Sequence, residues 1–378
     1  MRTDLLEHPA VKAWNNLQPD RVEPESIEIL DRERTKTWIK LQSEPAEPEG
    51  IETLDRKKRA WIQLRSRRVQ PEITEILKRM GFIYRLKGVG REGSAVIAKQ
   101  CKKDDGMLQH TIYKEILTHL PIPTLCCYGF VEEPSGELCW LFLEDAGTDV
   151  FSFDIKKHRT LAARWLGLLH TSAVDVAATA RLPDRGPDYY LEHLQLARDT
   201  IQRAVIDTTL SPDELFVLKS TVSQCNIVEA SWNKVERFCD RIPQTLVHGD
   251  FSQSNLRVRN GQTEMALLPF DWETAGQGIP AADLAQLRQS DLAIYWSVVR
   301  RCWPYLDVQD IQQMANLGGV FRGLAAISWE RWPFEHNWEN WGPQYSFLKY
   351  ERIKEAVMSM KVYLVRIADA MRATRWEA

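Results

Sequence analysis

The chain has 378 residues, 44% hydrophobic and 27% charged, with a formal net charge of −3. That is an ordinary globular composition, longer than one compact core usually holds, so two lobes or domains are expected. The balanced charge excludes a whole-protein field that would gather nucleic acid, no apolar run is long enough to span a bilayer, and the polar, acidic start MRTDLLEHPA is unlike a secretory signal, so a cytoplasmic location is expected.

Residues 1–70 contain an internal repeat. Pro24-Glu25-Ser26-Ile27-Glu28-Ile29-Leu30-Asp31-Arg32, ending in Trp38-Ile39-Lys40-Leu41, recurs as Pro48-Glu49-Gly50-Ile51-Glu52-Thr53-Leu54-Asp55-Arg56, ending in Trp61-Ile62-Gln63-Leu64. A partial third copy starts at Pro71-Glu72-Ile73 and runs into Met80-Gly81-Phe82. Pro-Glu at the start, apolar residues every three or four positions and bases at the end read as short amphipathic helices. So few copies do not make a solenoid. They are read as a helical extension, a packed appendage or a self-association element whose deletion leaves a folded protein.

From Phe82 the pattern turns to strands. Residues 82–86 and 95–101 flank the glycine-rich stretch Gly88-Val89-Gly90-Arg91-Glu92-Gly93-Ser94. A helix with Leu108, Ile112, Ile116 and Leu120 on one face follows, closed by Pro121 and Pro123. Strands near 125–130 and 138–143 are joined by the turn Glu133-Pro134-Ser135-Gly136. Beyond Gly147 the chain reads as helices over 160–170, 189–206, 212–240, 281–301 and 308–330. Asn260-Gly261 predicts a two-residue hairpin turn between 256–259 and 266–270. The seven scattered cysteines, without a CxxC pair, fit reduced, mostly buried thiols rather than a disulfide framework or zinc site.

The chemistry centres on His248-Gly249-Asp250-Phe251-Ser252-Gln253-Ser254-Asn255, with Phe270-Asp271-Trp272-Glu273 following. An Asp five positions before an Asn, preceded by His, has the spacing of a kinase catalytic loop, in which the Asp handles the acceptor hydroxyl and the Asn holds Mg²⁺. Asp250 is therefore the candidate acid/base, and Asn255 and Asp271 the candidate metal ligands, since Mg²⁺ takes few protein oxygens. His248 is read as a loop support rather than a base, and Asp283 as a helix cap or loop-orienting group. A strict two-residue turn would set Asn255 opposite Ala266, so a bulge or the loop after Phe270 must bring Asp271 back to it. Singly these are ordinary turn residues. Their joint spacing, with an apolar strand before each acid, is what points to phosphoryl transfer.

The sequence resembles the aminoglycoside phosphotransferase and choline kinase family, on His248 to Asn255, Asp271-Trp272-Glu273, Asp283-Leu284-Ala285, Leu166-Gly167-Leu168-Leu169-His170 and Leu141-Phe142-Leu143-Glu144-Asp145-Ala146-Gly147. The resemblance implies an α+β, bilobal protein-kinase-like fold: an extension over 1–70, a small antiparallel-sheet N-lobe over 71–143 and a larger, mostly helical C-lobe over 144–378. It further implies ATP and Mg²⁺ as cofactors, Lys99 on the α/β-phosphates and paired with Glu115, and adenine at the backbone of Leu143 and Asp145. Gly90 and Gly93 would cover the phosphates, although Lys99 follows Gly93 by six positions, which compresses the loop. Gly249 in place of the protein-kinase Arg, and the absence of Asp-Phe-Gly and Ala-Pro-Glu, argue against a phosphorylation-switched protein kinase.

Acceptor groups are expected around Asp188-Tyr189-Tyr190-Leu191-Glu192, Glu273 and the Trp-rich stretch Trp329, Trp332, Trp338 and Trp341. The partner is a small-molecule hydroxyl acceptor, with a cationic amine or aminoglycoside-like compound as one class, and neither nucleic acid nor membrane. Fourteen Trp residues could include an aromatic cage for such a cation, against the plainer reading that they pack the core. The alternative to an enzyme is a kinase-like nucleotide-binding regulatory or scaffold module with little turnover.

Overall fold

A computed structural model describes residues 5–18, 22–30, 82–206, 210–261, 264–335 and 346–374. The chain divides into two compact units, Met1–His110 with Leu125–Asp145, and Thr111–Thr124 with Ala146–Ala378.

The first unit opens on helix α1 (Pro9–Leu17), with Pro9 at its first position and the His8 ring capping it by accepting from the Ala10 N–H at 3.2 Å. Strands β1 (Ser26–Ile29), β2 (Ile83–Lys87) and β3 (Val96–Lys102) follow, then helix α2 (Lys103–Thr111), β4 (Cys127–Glu132) and β5 (Leu138–Glu144). The strands form an antiparallel sheet in the order β1-β2-β3-β5-β4. Side chains alternate across a pleated strand, so Val96 and Ala98 face one way and Lys99 and Cys101 do not share their registers. Val96 and Ala98 join Tyr84, Leu86, Trp140 and Phe142 in a core completed by Ala10, Val11, Ala13 and Trp14 of α1. The Trp14 ring lies 5.4 Å from Tyr128 and 5.3 Å from Phe142. On α2, a Cβ at Gly106 would stand 2.1 Å from Cys139 Sγ, so glycine lets this helix approach the sheet.

Two sequence expectations change here. The first repeat copy, read as the start of an amphipathic helix, is extended: Ser26, Ile27, Glu28 and Ile29 pair with Lys87, Leu86, Arg85 and Tyr84. The cross-strand charge pairs Glu28–Lys87 and Glu28–Arg85 hold the register. Residues 31–81, with the rest of the repeat, lie outside the described residues. Since α1 fills the core and β1 extends the sheet, these parts of 1–70 are integral to the first unit.

The second unit is mostly helical. After a π-turn over Ile112–Ile116 come α3 (Lys156–Ala173), α4 (Pro187–Ala204), α5 (Pro212–Ala230) and α6 (Trp232–Cys239). Four short strands follow, β6 (Thr245–Val247), β7 (Leu256–Asn260), β8 (Met265–Pro269) and β9 (Gly276–Gly278), then α7 (Ala281–Leu284), α8 (Gln289–Val299), α9 (Val308–Trp329), α10 (Trp332–Glu335) and α11 (Ser346–Ala373). Capping boxes start α5, from Ser211 and Glu214, and α9, from Asp307 and Asp310. Trp14, Trp140, Trp165, Trp232, Trp272 and Trp303 are buried, the core role rather than the cage role. Among the described residues no helix is long and apolar enough to cross a membrane.

Trp14→Ala should destabilise the first unit by about 3–5 kcal/mol, the usual cost of emptying a buried aromatic site, read by chemical denaturation. Deleting residues 1–70 should abolish cooperative unfolding of that unit. A truncation as stable as the full chain would contradict the place given to α1 and β1.

Candidate active site

The buried strand β6 pairs with β9 and ends directly at His248-Gly249-Asp250. Beneath it lies Asp283, buried on α7. One carboxylate oxygen accepts from the His248 N–H at 2.8 Å and from the His170 ring Nε2 at 3.2 Å; the other accepts from the Gly249 N–H at 2.9 Å. A carboxylate can only accept, so His170 Nε2 carries a proton, and its Nδ1 meets the Tyr295 hydroxyl at 3.0 Å. Burial pushes the Asp283 pKa up, but the His170 hydrogen bond and charge, with His248, outweigh it and leave the value lowered. Asp283 thus orients the loop rather than capping a long helix.

Gly249 has φ +77°, and a Cβ there would lie 2.6 Å from the Thr274 carbonyl oxygen. Both facts require glycine, which is why the protein-kinase Arg has no equivalent here. His248 is fully buried, its ring Nε2 donating to the Phe270 carbonyl at 3.0 Å, while Thr274 Oγ1 donates to the His248 carbonyl at 2.9 Å. Its ring lies 4.5 Å from Trp272. Nε2 is thus committed to the backbone, and Nδ1 is buried without a hydrogen-bond partner among the described residues.

The hairpin differs from the expected one. Asn260 pairs with Met265 and Leu256 with Pro269, and the Phe270 N–H donates to the Asn255 carbonyl at 3.0 Å. The connection is longer than a two-residue turn, with the Gly261 N–H bonded to the Glu264 carbonyl at 3.0 Å. The register shifts so that Asn255 faces Phe270, and Asp271 is the next residue, without a bulge. Asp271 is left-handed, with φ 70° and ψ 57°, a costly conformation for a non-glycine residue that clusters at functional sites.

Asn255 Nδ2 donates to the Asp250 carbonyl at 3.0 Å and to its Oδ2 at 2.9 Å. This turns Asn255 Oδ1 away from Asp250. The other Asp250 oxygen accepts from Arg322 Nη2 of α9 at 3.0 Å. Sequence reasoning missed Arg322. Its signal is that it is the one charge between Leu317 and Ile327.

In the first unit, Lys99 is 5% exposed and its Nζ donates to Gln109 Oε1 of α2 at 3.3 Å. Glu115, on the π-turn at Ile112–Ile116, ion-pairs with Arg181. Leu143 sits in β5 opposite Ile97 and Cys127, and the Asp145 carboxylate takes Arg85 Nε at 2.6 Å. Within the glycine loop, the Gly90, Gly93 and Ser94 N–H groups donate to the carbonyls of Ser94, Gly90 and Arg91.

The sequence profile of the phosphotransferase enzyme family matches residues 94–301, more than half of the chain. The chain belongs to the phosphotransferase enzyme family. No curated protein matches it in sequence. Among solved structures, it is similar to aminoglycoside 2′-phosphotransferase-IIIa in its GDP complex, at 12% identity over 92% of this chain and 97% of that one, TM-score 0.51. It is similar too to the GDP and kanamycin complex of APH(2″)-IIIa, at 13% identity over 94% and 97%, TM-score 0.50. That likeness shows the fold: kinase-like, with a small antiparallel-sheet unit and a mostly helical unit.

The family's chemistry implies Mg²⁺, and the residues fit it. Asn255 presents its amide oxygen because its nitrogen is bonded to Asp250, and the Asp271 carboxylate follows the residue paired with Asn255. Among the described residues no cluster of three His, Cys, Asp or Glu groups forms an all-protein cage, and Mg²⁺ ordinarily uses one or two carboxylates with water and phosphate.

Asp283→Asn should cost roughly 3–5 kcal/mol at pH 7, as for breaking a buried charged network. Because the folded value is lowered, the Asp283 contribution is complete above the unfolded carboxylate value of about 3.9 and is lost as pH falls through the folded value. Wild-type stability should therefore fall in that acid window, and the variant's should fall less. Superposable acid-unfolding curves would remove Asp283 as the anchor.

Proposed function

We propose that the chain is an ATP-dependent phosphotransferase that moves the γ-phosphate to a hydroxyl of a small molecule. The observation that carries this reading is the Asp250 carboxylate, fixed through both oxygens on an anchored loop, with Asn255 and Asp271 brought together by the hairpin. In the reaction the acceptor hydroxyl gives its proton to Asp250, its oxygen bonds to the γ-phosphorus, and the bond to the β-phosphate oxygen breaks to leave ADP. Bound Mg²⁺ supplies charge neutralisation on the phosphate oxygens. Asn255 and Asp271 are assigned to hold it.

Lys99 is assigned to the α/β-phosphates, steadied by Gln109; Glu115 is retained as a candidate second partner for it. The backbone at Leu143 and Asp145 is assigned to the base, and Gly90 and Gly93 to phosphate cover. The glycine loop's inward hydrogen bonds make its backbone a modest phosphate ligand, which leaves more of that work to Lys99 and the metal. Because the aminoglycoside 2′-phosphotransferase-IIIa structure holds GDP, GTP belongs beside ATP in any assay. A cationic amine or aminoglycoside-like acceptor, one class raised by the resemblance, would have to approach a carboxylate already paired with Arg322. The regulatory-module alternative has lost the support it drew from a separate N-terminal appendage, at least for α1 and β1.

Asp250→Asn should lower transfer by ~10²–10⁴-fold, the usual worth of a positioned acid/base, with Mg-ATP affinity by calorimetry nearly unchanged. Asn255→Ala and Asp271→Ala should instead weaken the Mg²⁺-dependent part of nucleotide binding. Full turnover in Asp250→Asn would exclude the role given to that residue.

A further inference from the structure

The Asp250 carboxylate is paired with a cation. Arg322 reaches it from the middle of α9 with Nη2 on Asp250 Oδ1 at 3.0 Å. Its other terminal nitrogen, Nη1, is buried and has no hydrogen-bond partner among the described residues. A guanidinium presents a planar fork of donors suited to carboxylate or phosphate oxygens, and a buried donor left unfilled is costly. One tine is therefore committed to the catalytic carboxylate, and the other is left without an acceptor.

A second cation borders the same loop. Arg185 Nε donates to the Thr274 carbonyl at 2.9 Å and Nη1 to the Asp184 carbonyl at 3.1 Å, with its guanidinium 4.3 Å from the centre of the Tyr189 ring. Thr274 is the residue against which Gly249 packs. These bonds are to carbonyls, so no carboxylate among the described residues cancels the Arg185 charge, and Asp250 alone offsets Arg322. Tyr190, stacked on Phe321 at 4.0 Å, lies between the influences of the two: burial raises its pKa, and Arg185 and Arg322 pull it down. One helical turn beyond Tyr189, the His193 ring contacts it at 4.5 Å and leaves Nε2 buried without a partner among the described residues. Burial, then Arg331 and Arg185, push His193 down to about 4.

We infer that the acceptor is an anionic alcohol, a hydroxy acid or phosphorylated polyol, whose negative group binds Arg322 Nη1 while its hydroxyl meets Asp250. This rests on the phosphotransferase reading and names its substrate class. The Arg322–Asp250 pair is neutral as a whole and favours neither sign, but an ammonium has no oxygen to accept from the unpartnered donor, whereas an anionic group does.

The test uses the full chain with gluconate, glucose and glucosamine, six-carbon sugar derivatives that are anionic, neutral and cationic, the first open-chain and the others cyclic. Binding to the Mg-ADP-loaded protein is read by calorimetry and ADP release from Mg-ATP by coupled assay. Gluconate is expected to bind about tenfold or more tighter than glucosamine, the scale of one charge-assisted hydrogen bond. Arg322→Gln should erase that preference through KM, and Arg322→Lys, which keeps the charge, should restore part of it. Equal binding of all three, a preference for glucosamine, or a gluconate preference untouched by Arg322→Gln overturns the inference. So does an equal kcat loss with all three acceptors, which would put Arg322 on the transferred phosphate instead. Absence of Mg-ATP and Mg-ADP binding in the wild type would count against the phosphotransferase reading itself, a separate result.

Discussion

A carboxylate buried among apolar residues is tolerated when its lone pairs are filled by good donors. Asp283 takes two consecutive backbone N–H groups, those of His248 and Gly249, and the His170 ring. This fixes the peptide leading into Asp250. Gly249 is then forced into a left-handed turn against the Thr274 carbonyl, and His248 is turned inward to bond the Phe270 carbonyl, one residue before Asp271. A single buried charge thus sets the directions of two acidic residues that lie on different ribbons. Preorganisation of this kind stores the cost in the fold and spends none at the moment of reaction.

The same logic extends to Asp250. Its two oxygens are committed, one to Asn255 and one to Arg322, and each retains accepting capacity for a hydroxyl. The Asn255 bond steadies Asp250 and leaves the Asn255 amide oxygen turned from that carboxylate, 3.5 Å from the Ser254 hydroxyl. The Arg322 bond pairs that carboxylate with a guanidinium. An alcohol approaching Asp250 meets a guanidinium beside the carboxylate, and the charge on the rest of that molecule decides whether the meeting is favourable.

Much of this was legible in the sequence because it is local. Strand periodicity over 82–101 and 125–143, the helices that follow, and the spacing of Asp250, Asn255 and Asp271 are properties of short windows, and the elements formed near those bounds, except that 212–240 breaks at Ser231 and 281–301 breaks over 285–288. What escaped depends on distant partners or on small breaks in phase. Ile27 and Ile29 fit an alternating strand as well as a helical face, and their pairing with β2 across a long sequence separation decides the matter. Asn260-Gly261 carried a strong turn signal, yet the pairing of Asn260 with Met265 made the connection longer, and that change of register is what sets Asn255 opposite Phe270. Arg322 lies far along the chain from Asp250, and no local pattern announces the contact.

The central claim is that this chain carries phosphate from ATP to an alcohol on Asp250. Phosphorus NMR of the protein with Mg-ATP and a metabolite extract follows both substrate and product directly. Loss of the γ-phosphate signal, growth of ADP and a new phosphomonoester resonance are expected, all abolished when Asp250 is replaced by Asn. An extract left unchanged by a protein saturated with Mg-ATP, or phosphate released to water alone, would contradict it.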